Sequence, residues 1–316
     1  MEIDRLLKGI HRGEVRAVAR AISMVEDRHT DALPVMQGLD PGRLENCLTV
    51  GITGPPGAGK STLTGSLVRE LRKRDQRVGI IAVDPSSPLT GGALLGDRIR
   101  MMDHALDPDV LLRSMATRGR LGGLCGAAGA AMRIMAASGC RVVLIETVGI
   151  GQSEMDVVSL ADITVMVLAP GFGDDIQAMK AGILEVVDLL VINKADQPGA
   201  QKLLLDLGRE TAGSDRVLQT VASENRGTAD LLDRILDLEQ TLRGQDELTH
   251  RRERAQARET LDWCMEMLKP KILHLLHNCN GKHQDPGITA QELVARFTRS
   301  ADDQQTTERS EHNLIP

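Results

Sequence analysis

Aromatic residues are almost missing from this chain of 316 residues, which has one Trp, two Phe and no Tyr. Trp263, Phe172 and Phe297 cannot furnish a platform for stacked bases, which argues against a single-stranded nucleic-acid binder. The core has to come from Leu, Ile, Val, Met and Ala. An excess of positive charge is missing too. Lys and Arg total 38 against 44 Asp and Glu, a formal net charge of −6, whereas nucleic-acid binders carry a basic face. The five cysteines are odd in number and widely spaced, with no C-x-x-C pair among Cys47, Cys125, Cys140, Cys264 and Cys279. They read as reduced thiols of a cytoplasmic protein. No uncharged run is long enough to span a bilayer, and MEIDRLLKGIHRGEVR has no apolar signal core. The expectation is therefore no nucleic acid, no membrane and a cytoplasmic location. With 41% hydrophobic and 26% charged residues, fibrous and largely disordered chains are excluded as well.

Organisation follows from hydrophobic spacing. Ile3, Leu6, Leu7, Ile10, Val15, Val18, Ile22 and Val25 recur at helical intervals, which predicts a helix over residues 1–30. Residues 31–46, with two prolines and two glycines, read as a linker. From residue 47, short apolar runs alternate with longer amphipathic ones. The runs are Cys47–Thr53, Val78–Val83, Arg141–Glu146, Ile163–Leu168, Leu189–Ile192 and Val217–Val221. Strands apolar on both faces with helices between them predict an α/β fold, a mainly parallel central sheet flanked by helices. Ligands on such sheets bind at the carboxyl ends of the strands. A long amphipathic helix is expected over 249–277, a short one over about Thr289–Phe297, and the polar tail from Ser300 is expected to be mobile.

The strongest motif is GPPGAGKS: Gly54, Pro55, Pro56, Gly57, Ala58, Gly59, Lys60 and Ser61. It matches G-x-x-x-x-G-K-[ST], with the strand-like CLTVGIT before it and the helical STLTGSLVRELRK after it. Glycines let the backbone wrap a phosphate, and the amides of the loop and of a helix N-terminus, Thr62 included, point at its oxygens. Lys60 is expected on the β- and γ-phosphates and Ser61 on Mg²⁺. A Gly-rich turn with no ligand would not need the flanking strand and helix.

The second motif is Asn193-Lys194-Ala195-Asp196, at the end of the run LLVIN. In P-loop GTPases a carboxylate at the place of Asp196 accepts two N–H bonds from guanine, while the Lys stem lies along the purine. A wrong base leaves that carboxylate unpaired. Asp196 as a plain helix cap is the alternative. Val221, Ala222 and Ser223, after the last run, stand where GTPases close over the base with backbone amides, although Ser223 could also be a helix N-cap.

Between the two lie candidate metal and switch residues. Asp84 ends GIIAVD and Glu146 ends RVVLIE. A carboxylate at the tip of a buried strand beside a P-loop can hold Mg²⁺ directly or through water. The common Asp-x-x-Gly is Glu-x-x-Gly here, with Gly149 offering its amide to the γ-phosphate. Ile150 stands where the common GTPase has a water-orienting Gln, and the nearest Gln is Gln152. Slow intrinsic hydrolysis that needs a partner is expected.

GITGPPGAGKST, VDPSSPLTGGALLGDRIRM, RSMATRGRLGGL, VLIETVGIGQSE, APGFGDDIQAMKAGI and VINKAD are peculiar enough to carry a resemblance. The chain resembles the methylmalonyl-CoA mutase-associated GTPases (MeaB/ArgK type), relatives of the metallochaperone GTPases, over roughly residues 47–225. The resemblance implies a SIMIBI-type P-loop GTPase with a helical extension at 1–46, a GTPase domain at 47–245, a C-terminal helical dimerisation arm at 246–299 and a tail at 300–316. It implies a homodimer that binds an adenosylcobalamin-dependent mutase, usually methylmalonyl-CoA mutase. GTP binding and hydrolysis would then gate cofactor delivery and protect the mutase, with GTP/GDP and Mg²⁺ as ligands. It gives Asp84 and Asp97 as switch carboxylates near Mg²⁺, Glu146 as their switch II counterpart, and Asp174, Asp175, Gln177 and Lys180 as a relay loop. A Gly-rich, charge-tipped loop of that kind can take two arrangements biased by the γ-phosphate.

Three other readings stand beside this one. A metallochaperone GTPase should show a Cys/His cluster, and residues 1–46 offer only His11 and His29, with Cys47 next to them. A kinase of a transport protein needs a positioned base and an acceptor site. A purely structural interaction protein would not need Lys60, Ser61 and N-K-x-D together. In the C-terminal region His274, His277, Cys279 and His283 could hold a transition metal or simply complement a helix dipole.

Overall fold

The computed structural model describes residues 2–84, 106–116, 125–147, 159–171, 186–210, 216–278, 285–292 and 294–295. The chain divides into two compact units, Met1–Thr260 and Leu261–Pro316. In the first unit, seven strands form one parallel sheet: β1 (Leu48–Thr53), β2 (Val78–Asp84), β3 (Val110–Ala116), β4 (Val142–Thr147), β5 (Ile163–Leu168), β6 (Leu189–Ile192) and β7 (Val217–Gln219), in the order β3-β2-β4-β1-β5-β6-β7. Every paired register is parallel, so all carboxyl ends share one edge.

Why the strand signals were continuous apolar runs is visible in β4. Val142 and Leu144 pack into one core, and Val143 and Ile145 into the other. Alternate side chains point to opposite faces, and both faces are covered. One core holds α5 (Lys60–Lys73) and α8 (Thr228–Gly244), through Leu63, Leu67, Leu71, Leu231 and Ile235. The opposite core takes α1 (Glu2–His11), α2 (Val15–Glu26), α3 (Ala32–Gln37) and α6 (Cys125–Ala137), through Ile10, Ile22, Val35 and Ile134. Around Met166, Leu190 and Ile192 a third cluster receives α7 (Ala200–Glu210). With almost no rings available, α6 supplies Ala128, Ala131 and Ala137, small side chains that allow close approach to the sheet.

Four readings of the sequence change. The helix expected over 1–30 is two helices. Gly13, at φ +75°, ends α1: its amide donates to the carbonyl of Ile10 and that of Glu14 to Gly9, the paired bonds of a Schellman cap. The expected linker at 31–46 contains α3 and α4 (Pro41–Asn46), the latter capped by Asp40, whose carboxylate accepts the Gly42 amide at 3.0 Å. The edge strand β3 had no counterpart among the apolar runs. Leu111, Arg113 and Met115 share one face, where Arg113 bonds Glu26 of α2, and Val110, Leu112 and Ser114 share the other; two consecutive polar residues break the apolar run in mid-strand. The last run stops as a strand at Gln219.

The amino edge of the sheet is closed by arginines from the start of α9 (Glu247–Asn278). Arg252 meets the Asp162 carboxylate with two bonds, 2.8 and 2.7 Å, and donates to the Cys47 carbonyl at 2.6 Å. Asp162, only 3% exposed, also accepts the Thr49 amide at 2.9 Å. Arg251 bonds Asp188 at 2.8 Å, and Asp188 accepts the Thr164 amide. Arg133 of α6 pairs with Glu259 through two bonds, 2.7 and 2.6 Å. In the second unit the helix exposes Leu261, Met265, Met267 and Leu273. Among the described residues no helix is long and apolar enough to cross a membrane.

Candidate functional site

The P-loop leaves the carboxyl end of β1 and enters α5, as the motif requires. Gly54 has φ +135°, and a Cβ there would stand 2.1 Å from the Val167 carbonyl oxygen of β5. Gly59, the N-cap of α5, has φ +93°, and a Cβ there would meet the Asn193 amide nitrogen at 2.3 Å. Both positions combine a left-handed backbone with a space that only hydrogen fills. The N-terminal amides of α5 are thus presented to the loop, where partial positive charge gathers.

Lys60 is buried against this loop. Its ammonium donates to the carbonyls of Gly54 at 2.6 Å and Pro55 at 3.1 Å. Ser61 donates through Oγ to Glu146 Oε1 at 2.5 Å. Ser61 lies in the first turn of α5, whereas Glu146, 1% exposed, lies at the end of β4, which pairs with β1 in register Ile52 to Glu146. The sheet brings hydroxyl and carboxylate together: two oxygen donors of the kind a hard divalent cation takes. Below them the buried hydroxyls of Thr53 and Thr147 stand 3.5 Å apart. Asp84 ends β2, the strand beside β4, with its backbone at the same edge.

The Asn193-Lys194-Ala195-Asp196 segment leaves β6 at that edge. Asn193 is 2% exposed and its amide faces three ways. Nδ2 donates to the Ala58 carbonyl in the P-loop at 2.9 Å, and Oδ1 accepts from Thr220 Oγ1 and from the Ala222 amide, both at 3.1 Å. One side chain therefore ties three loops together. Lys194, at φ +55°, lays its chain over the P-loop and donates to the Gly57 carbonyl at 2.7 Å. Asp196 is exposed, in the turn before α7 starts at Ala200, so it does not cap that helix. Val221 precedes a short 3-10 turn, Ala222–Glu224, in which Ser223 is exposed. Thr62 is exposed in the first turn of α5.

Lys60, Ser61, Glu146, Asn193, Lys194 and the segment 221–223 are thus gathered along one edge, with Gly54–Gly59 at the centre. Asp97, Gly149, Asp174, Asp175, Gln177 and Lys180 lie outside the described residues. So do Cys279 and His283. His274 and His277 are on α9, where the His277 ring nitrogen Nδ1 donates to the Leu273 carbonyl at 2.9 Å. Among the described residues no cluster of three or more His, Cys, Asp or Glu is placed to hold a metal ion. The sequence reading missed Thr220 and Ser66. Thr220 holds Asn193, and the buried Ser66 of α5 donates to the Ala222 carbonyl at 2.7 Å. A hydroxyl directly before Val221-Ala222-Ser223 was the available signal for Thr220; Ser66 had none, since its partner is far away in sequence.

Known proteins resemble this chain over most of its length. Residues 18–277 match the family described as methylmalonyl Co-A mutase-associated GTPase MeaB. A protein of Pyrococcus abyssi named as a GTPase is 47% identical over 260 residues, covering 79% of this chain and 80% of that protein. GTPase ArgK of Escherichia coli K12 is 34% identical over 293 residues, covering 86% of each. The crystal structure of a LAO/AO transport system kinase superposes with a TM-score of 0.67 at 24% identity, covering 94% of this chain and 97% of that one, a shared fold. A match over most of the chain, on a parallel sheet with an intact P-loop, makes this protein a P-loop GTPase of the MeaB family.

Proposed function

We propose that this GTPase binds GTP with Mg²⁺ at the carboxyl edge of the sheet, hydrolyses it slowly, and acts as a chaperone of an adenosylcobalamin-dependent acyl-CoA mutase. Methylmalonyl-CoA mutase is the first candidate client. The nucleotide state would gate cofactor delivery and protect the mutase. The family description supports the client class. The Asn193 bridge, from Ala58 in the P-loop to Ala222, is the observation that carries the nucleotide reading.

In this reading the amides of Gly54–Thr62 cradle the phosphates and Lys60 turns its ammonium from the loop carbonyls to the β- and γ-oxygens. Asp196, being exposed, is free to receive the guanine N–H groups, with Lys194 along the purine and Val221–Ser223 closing its edge. Ser61, Glu146, Asp84 and Asp97 would hold Mg²⁺, and the adjacency of Ser61 Oγ and Glu146 Oε1 fits that donor set. Bound there, Mg²⁺ would neutralise charge developing on the β- and γ-oxygens. Gly149 would give its amide to the γ-phosphate. Glu146 also keeps Ser61 oriented by accepting the hydrogen bond from its hydroxyl. With Ile150 in place of a water-orienting Gln, no side chain of that position aligns the attacking water, so hydrolysis would wait on a partner.

Asp174, Asp175, Gln177 and Lys180 are proposed as the relay to the mutase, and the helical region 246–299 as the dimerisation arm of a homodimer. Residues 1–46 form the N-terminal extension of the GTPase domain at 47–245, with 300–316 as the tail, in the cytoplasm. The test is GTP turnover with and without purified methylmalonyl-CoA mutase, alongside co-sedimentation of the two proteins in GTP and in GDP. Turnover should rise and association should depend on the nucleotide. Equal turnover and no association with this or another B12-dependent acyl-CoA mutase would defeat the chaperone reading.

A further inference from the structure

Helix α5 carries the phosphate loop at its N-terminus, yet two turns further on its side chains reach the opposite end of the nucleotide site. Ser66 is fully buried and donates through Oγ to the Ala222 carbonyl at 2.7 Å. The direction of this bond is fixed. Arg69 Nη2 stands 2.8 Å from the same Oγ, and a guanidinium can only donate. The single hydroxyl proton of Ser66 therefore goes to Ala222. The amide of Ala222 is engaged on its other side by Asn193 Oδ1 at 3.1 Å, and Asn193 Nδ2 returns to the Ala58 carbonyl at 2.9 Å. The path from Ala58 runs through Gly59 into α5 and back to Ser66. It is a closed circuit of hydrogen bonds and backbone around the phosphate and base ends of the site.

A second contact grips the far end of the same turn. Asn225, which closes the 3-10 turn at φ +55°, donates through Nδ2 to Glu70 of α5. Glu70 also accepts Lys73 at 2.7 Å. Lys73 and Asn225 together hold its carboxyl below the usual range, so it stays an acceptor. Ala222 and Asn225 are thus both fastened to one rigid helix, one turn apart.

We infer that Ser66 is a positioning residue that locks the base-closing segment Val221–Ser223 to the phosphate-binding helix, so that base recognition depends on a side chain which touches no nucleotide. This rests on the guanine reading proposed above. It deepens that reading by making guanine affinity a property of the circuit and not of the N-K-x-D segment alone. Removing the hydroxyl leaves the Ala222 carbonyl with only the long bond from the Asn225 amide, 3.3 Å, inside its own turn, and takes away its direct tie to α5. The P-loop amides, Lys60 and Ser61 stay as they were.

The experiment compares GDP with ADP, both in Mg²⁺, by competition against a fluorescent GDP analogue on the full chain. The two share every phosphate contact and differ only in the base. In Ser66→Ala, GDP affinity should fall roughly tenfold, the scale of one buried hydrogen bond. ADP affinity should be unchanged, and Ser66→Thr, which keeps the hydroxyl, should restore GDP. Wild-type GDP affinity in Ser66→Ala would overturn the inference. Equal losses for GDP and ADP would also overturn it, as they would reveal general damage to α5. Should Ser66→Ala not fold, Ser66→Cys, of similar size and a much weaker donor, enters the same comparison with the same two outcomes. If the wild type itself held ADP as tightly as GDP, the guanine reading would fail instead, a result separable from any effect of Ser66.

Discussion

Substituting Asn193 tests the site at the point where its three loops meet. Asn193→Ala removes one donor and one acceptor that serve Ala58, Thr220 and Ala222. Each buried group left without a partner costs about 1–3 kcal/mol, and exposed loops recover part of it by taking water. A net loss of about 3 kcal/mol in nucleotide affinity is expected, roughly a hundredfold in Kd. Asn193→Asp is the sharper variant. It preserves shape and keeps an acceptor toward Thr220 and Ala222, but it turns a carboxylate oxygen toward the Ala58 carbonyl in place of the N–H, 2.9 Å away in the wild type. Two acceptors facing each other repel, so Asn193→Asp should bind fluorescent GDP at least as poorly as Asn193→Ala. Titration of both variants, with urea unfolding of the nucleotide-free chains as a control for folding, gives the answer. Wild-type affinity in Asn193→Asp would refute the reasoning, because the amide would then not be donating to the P-loop.

Gly59→Ala should abolish GDP binding in the same titration, since its Cβ would collide with the Asn193 amide on a φ of +93°; retained binding would mean that the loop can move aside. Arg252→Ala should lower stability by about 3 kcal/mol in urea, because it strands the buried Asp162 carboxylate, while nucleotide affinity stays unchanged at this distant edge. An unaltered urea midpoint would dismiss the clamp. Burial raises the thiols of Cys47 and Cys140, the latter from 9.0 to about 11. Held protonated in the fold, they contribute stability that is complete below the ordinary thiol range and is lost as pH rises from 9 toward 11. In single-cysteine variants at pH 8, the exposed Cys264 should react at once with a thiol reagent and Cys47 and Cys140 only on unfolding. Equal rates for all three would contradict the buried assignment.

Much of this was legible in the residues, and the failures share a cause. Strands buried on both faces announce themselves, so β5 and β6 were read to the residue. The edge strand β3 packs apolar side chains on both faces, Leu111 and Met115 on one and Val110 and Leu112 on the other, but Arg113 and Ser114 interrupt the run and hid it. Helical spacing continued unbroken through Gly13, so α1 and α2 merged; the cap bonds that part them are a matter of backbone angle, which periodicity does not register. In the site, each local motif was visible because phosphate and guanine recognition demand fixed residue types at fixed spacings. What could not be read was the wiring between motifs. Ser66 reaching Ala222, Thr220 holding Asn193 and Ser61 meeting Glu146 join positions that only the sheet order brings together.

The most direct measurement is calorimetric titration of the full chain with GTP and with ATP, each in Mg²⁺. Binding of GTP at one site per chain, with ATP weaker by about a hundredfold or more as expected when a carboxylate reads the base, is the predicted result. No heat with GTP, or equal affinity for the two nucleotides, would contradict the assignment of Asp196 and the three joined loops as a guanine site.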